Sequence, residues 1–106
     1  MTRQPHRLKL SGELGLRDAD AVREQLIDAL FVHPSVEVDT QDLTGIDMSI
    51  VQILIAAHKL AKTRNQQFQI CARENSPLQN ALSRAGLLRQ STDAPLEIHW
   101  QERGAA

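Results

Sequence analysis

A two-layer α/β domain, with helices packed on one face of a four- to five-stranded sheet, is the fold the sequence predicts. Three observations carry it. Apolar and polar residues alternate with period two in four separate stretches, and helical stripes of period 3.6 lie between them. Each candidate strand is also apolar on one side only. Strands that alternate with helices argue for β-α crossovers and parallel pairing. A sheet covered on both faces would need strands apolar on both sides. Here Arg7, Lys9, Glu37, Asp39, Gln67, Gln69, Glu97 and His99 occupy the second side, so that face is expected to be wet.

Taken in order, Leu8 and Leu10 alternate with Arg7 and Lys9, and Ser11-Gly12 offers a turn before Leu14 and Leu16. That pattern predicts a hairpin or a bent first strand. Ala19, Val22, Leu26, Ala29 and Leu30 follow one helical stripe, with Asp18 as the expected N-cap. Val36 and Val38 mark the next strand. Met48 to Thr63, rich in Ile, Leu and Ala, predicts a second helix. Phe68, Ile70 and Ala72 mark another strand. Ser76-Pro77 then reads as an N-cap with proline at the first helical position, and Gly86 as the stop of a third helix through Leu78, Ala81, Leu82 and Ala85. Arg89 to Pro95 is expected to be a polar loop, Leu96, Ile98 and Trp100 a last strand, and Arg103 to Ala106 a frayed tail.

Composition narrows the function classes. The 106 residues suit one domain over 1–106, with a core from about 8 to 100, burying roughly 65% of the unfolded surface. A net charge of -1 gives no electrostatic footprint for nucleic acid or an anionic membrane. The single cysteine, Cys71, cannot form an internal disulfide or a multi-cysteine zinc site. MTRQPHR does not read as a signal peptide, and no apolar run approaches the ~18 residues of a membrane span. A soluble, cytoplasmic protein without membrane insertion is expected.

Catalytic patterns are scarce. No GxxxxGK[ST], GxGxxG or G-x-S-x-G is present, and His6, His33, His58 and His99 lack metal-ligand spacing. No metal, cofactor or catalytic residue is expected, and the protein does not read as an enzyme. Cys71 is expected to be a half-buried, unreactive thiol. Asp39 at a strand end, Asp42 in the following loop and Asp47 before the second helix permit a receiver-like phosphoacceptor. The simpler reading makes Asp42 a turn residue and Asp47 a helix cap.

The informative segment is DTQDLTGIDMSIVQILIAAHKLAK, Asp39 to Lys62. With Asp47 as N-cap, Ser49 lies at the loop-helix junction. Ile50, Ile53, Leu54, Ala57 and Ala61 form one broad stripe suited to the sheet. Met48, Val51 and Ile55 form a second, roughly 150° away. Either neighbouring helices cover that stripe, or it is an apolar patch for a partner. The patch reading takes Met48, Ser49, Val51, Gln52 and Ile55 as partly exposed, and expects Val51→Asp and Ile55→Asp to spare the fold.

LKLSGELGLRDADAVREQL, VEVDTQDLTGIDMSIVQILIAAHKLAK and SPLQNALSRAGLL together resemble the STAS domain, the family of bacterial anti-sigma factor antagonists. The resemblance runs from about Leu8 to Ile98. It implies a mixed sheet with helices on one face and a non-catalytic regulatory module. Many members carry an Asp-[Ser/Thr]-Ser-Gly-like motif whose serine, two places after the Asp, is phosphorylated by a partner kinase. Asp47 and Ser49 match those two positions, whereas Met48 replaces a small residue and Ile50 a glycine. The resemblance therefore implies Ser49 as phosphorylation site, and together with the second stripe it gives Asp47, Met48, Ser49, Val51, Gln52 and Ile55 as the expected partner-binding face. The implied partner is a serine kinase or anti-sigma factor, in transcription regulation. An ATPase subunit of a lipid-transport ABC system, or a chemotaxis or two-component signalling cluster, is the alternative.

Overall fold

The computed structural model describes residues 5–86 and 98–101. Strand β1 spans His6–Leu14, followed by a 3-10 turn at Leu16–Asp18 and helix α1 at Ala19–Val32. Then come β2 (Ser35–Ile46), α2 (Met48–Thr63), β3 (Gln67–Arg73), α3 (Pro77–Arg84) and β4 (Ile98–Gln101). The sheet order is β1-β2-β3-β4, and all three pairings are parallel. The mixed pairing implied by the resemblance is absent among the described residues, where four strands rather than five are seen. A sheet wound in one direction by right-handed crossovers must place every crossover helix on the same face. The two-layer expectation follows from that rule as well as from the periodicity.

One core fills the space between the layers. Leu10, Val36, Val38, Phe68, Ile70 and Ala72 of the strands meet Val22, Leu26, Leu30, Ile50, Leu54, Leu78 and Leu82 of the helices. Each such Leu or Ile contributes about 2 kcal/mol by leaving water. On the opposite face Arg7 pairs with Glu37 at 2.8 Å and Lys9 with Asp42 at 2.6 Å. These ion pairs are solvated and add little stability.

One local alternative is decided and three local expectations change. Of the two readings of Ser11-Gly12, the bent first strand is the one observed, because β1 runs on to Leu14. Gly12, at φ +76, lies beside one of two register shifts in the β1-β2 ladder. Lys9 faces Asp39 but Ser11 faces Asp42, and Gly12 faces Leu43 but Glu13 faces Gly45. Strand β2 therefore carries an extra residue at two places, and each extra residue reverses which parity faces the core. Asp42 is consequently a strand residue, not a loop residue, and Asp39 lies mid-strand. Cys71 is buried rather than half-buried. Gln41 Nε2 donates to its sulfur at 3.2 Å, and Thr40 Oγ1 donates to its carbonyl at 3.0 Å.

The helix ends follow their sequence signals with one exception. Ser76 Oγ accepts the Gln79 amide at 3.3 Å with Pro77 at the first helical position, and Gly86 adopts φ +70 after α3. Asp18 precedes α1 but its side chain does not cap it. Its carboxylate instead accepts the Gly15 amide at 2.9 Å and closes the 3-10 turn. Leu16 is thereby removed from β1 and left 74% exposed. At the other end of the helix layer, Gln66 Nε2 donates to the carbonyls of Leu30 and of His33, the latter at 2.9 Å. The Arg64 guanidinium lies 4.8 Å from the Phe31 ring centre. The expected loop at Arg89 to Pro95, the first residues of the last strand and the tail lie outside the described residues.

Candidate functional site

The site is built where β1 and β2 end and α2 begins. Asp47 stands in extended conformation as the N-cap of α2, and its amide donates to the Leu14 carbonyl at 3.0 Å. That bond ties the end of β1 to the start of the helix. Asp47 Oδ2 accepts twice from Ser49, from the amide at 2.9 Å and from Oγ at 2.7 Å. Both bonds favour the charged carboxylate, so the Ser49 hydroxyl and then its amide hold the Asp47 pKa below the ordinary value. The exposed cap thus spends one carboxylate oxygen on two donors of the serine expected to be modified.

Around this cap the expected patch divides. Met48 is 37% exposed and Gln52 is exposed, while Ser49 is half-buried. Ile55 is half-buried against the core. Val51 is 0% exposed and belongs to the core, so it cannot form part of a contact surface. The reason lies in the helix layer: α2 is the middle helix and touches both α1 and α3, which widens its buried arc beyond one stripe. Val51→Asp is therefore not a tolerated change.

Two further features were not read from the sequence. Ile46, Asp47 and Met48 face Ala81 and Arg84 of α3, and Ala85 just after it, across an open groove of about 270 Å³. Nothing in the spacing of α3 signalled that Arg84 would stand there. The 3-10 turn, which abuts α2, brings exposed Leu16 to the same end of the molecule. A signal for it existed in Gly15 and Asp18, whose three-residue spacing fits the closed turn observed.

The receiver-like arrangement is not assembled. Asp39 bonds the Gln41 amide at 3.0 Å, and Asp42 pairs with Lys9, which lowers its pKa by hydrogen bond and charge. Both lie along β2, with Asp39 on the order of 20 Å of extended chain before Asp47. Among the described residues no three His, Cys, Asp or Glu side chains converge as a metal site, and no helix is long and apolar enough to cross a membrane.

At one end of a one-sided α/β domain, the site thus sets a serine held on its helix-capping aspartate beside an exposed methionine. The chain belongs to the STAS family: the family model described as "Mlab, STAS domain" matches residues 1–93. That family is in general non-catalytic. The fold is also that of a Thermotoga maritima protein assigned as an anti-sigma factor antagonist, known from a crystal structure. The likeness has a TM-score of 0.65 at 15% identity, over 90% of this chain and 77% of that one. No curated protein sequence matches the chain significantly.

Proposed function

We infer that this STAS domain is a cytoplasmic regulatory module that docks a serine kinase or anti-sigma factor through the start of α2, with Ser49 as the switch. The carrying observation is the Ser49 hydroxyl held on the Asp47 carboxylate beside exposed Met48. Transfer of a phosphoryl group to Oγ would replace the proton now given to Asp47 and add about −1.5 to −2 charge. The helix N-terminus favours an anion, so the fold tolerates it. The hydrogen bond to Asp47 would give way to repulsion, and Met48 would gain a hydrated dianion at its edge. Desolvating that charge opposes docking unless the partner supplies a cation.

The test begins with a pull-down from the native cell to identify the partner. Binding titrations of Ser49→Asp and Ser49→Ala follow. Weakened binding by Ser49→Asp and normal binding by Ser49→Ala are expected, and equal affinity of Ser49→Asp and wild type would refute the switch. The engaged hydroxyl and the buried Ile50 where glycine is common favour one second reading. In it the same face docks constitutively, as a STAS subunit on an ABC-transporter ATPase, and Ser49 serves only as a helix-start residue. Incubation with acetyl phosphate and magnesium should leave the chain unlabelled, as expected of a module that is not an enzyme and needs no cofactor.

A further inference from the structure

The parallel sheet gives the domain two unlike poles. At one, where the strands end, the 3-10 turn and the start of α2 present Leu16 and Met48, which are 74% and 37% exposed. At the other, α1 ends in Phe31 and Val32, 67% and 72% exposed, with Arg64 over the Phe31 ring. Neither apolar pair is on a loose tail. The Gly15 amide and Asp18 carboxylate close the turn bearing Leu16, and Gln66 clamps the end of α1 beneath Phe31.

The charges around the two pairs are opposite. Glu13, Asp18, Asp20, Asp47 and Glu74 outnumber Arg17, Arg73 and Arg84 at the Leu16 pole. At the Phe31 pole Arg7, Lys62 and Arg64 outnumber Asp28 and Glu37. We propose that the Phe31–Val32 pole of one copy docks on the Leu16–Met48 pole of a second copy, in a head-to-tail contact. Apolar residues would meet at the centre and the basic rim would face the acidic one. Such a contact is heterologous, so it propagates beyond a dimer at high concentration. It shares Met48 with the docking face inferred above but does not rest on that reading, because the purified chain alone is the probe.

Sedimentation equilibrium of the purified chain, up to about 1 mM, tests it. The weight-average mass should rise with concentration above the 11.8 kDa monomer and fall back in high salt, where the rim charges are screened. Leu16→Ser and Phe31→Ser should each melt with the wild type, since both side chains are largely solvated, yet associate at least tenfold more weakly. Arg64→Glu should weaken association through charge alone. Mixed in equal amounts, Leu16→Ser and Phe31→Ser each retain one intact and complementary pole. They should form a 1:1 species of twice the monomer mass that grows no further. A wild type that stays monomeric throughout, or a mixture that fails to recover association, overturns the proposal.

Discussion

The two stripes of α2 read alike in the sequence and fare differently in the fold. Of the stripe toward the sheet, Ile50, Leu54, Ala57 and Ala61 are buried and Ile53 is half-buried. Along the other stripe Met48 is exposed, Val51 is sealed and Ile55 is half-buried, so burial peaks at the second position. An apolar stripe thus reports that something covers it, and the neighbouring elements decide whether that cover comes from inside the chain. For α2, flanked by α1 and α3, most of it does.

Substitutions sharpen this comparison. The largest effect is expected for Leu54→Asp and Val51→Asp, each burying an unpaired carboxylate in the core at a cost of about 4 kcal/mol or more. Urea unfolding should find neither variant folded at 25 °C, and a stable Val51→Asp would restore the wider docking patch. Ile55→Asp should cost an intermediate ~1–2 kcal/mol by the same measurement, since its side chain can turn toward water. Removing the α3 cap with Ser76→Ala should cost about 1 kcal/mol. Met48→Ser should lie within about 0.5 kcal/mol of wild type, as for other exposed positions.

Acid gives a subtler probe of the cap. Because the Asp47 pKa is depressed in the folded chain, its contribution is present above the ordinary carboxylate pKa and is lost as pH falls through the lower folded value. The amide resonance of Ser49 should therefore titrate below the ordinary carboxylate range. Asp47→Asn should abolish that step while leaving the rest of α2 unmoved.

Much of the fold was legible because period and capping are local. Val36, Val38, Phe68, Ile70 and Ala72 declare their buried side by alternation, and Ser76-Pro77 declares a helix start. The second half of β2 was not legible, since two extra residues reverse its parity and hide Leu43 and Ile46 from any period-two reading. Asp42 looked like a turn residue for the same reason. At the candidate site, Asp47 and Ser49 were readable from their spacing and the family resemblance. Arg84 was not, and for Leu16 only the local turn was, because their placement beside the cap depends on which chain ends the sheet brings together.

Strand order that equals chain order also has a consequence for synthesis. As the chain leaves the ribosome, β2 finds β1 already made, β3 finds β2, and β4 finds β3. No strand must wait for a distant partner or insert between two others, so loop-closure entropy is spent in small instalments. The sheet can zip vectorially from its first edge. The Asp47–Leu14 hydrogen bond falls at the first junction of that zipper, so a nascent chain ending just beyond α2 should already hold the β1-α1-β2 unit and the serine cap together.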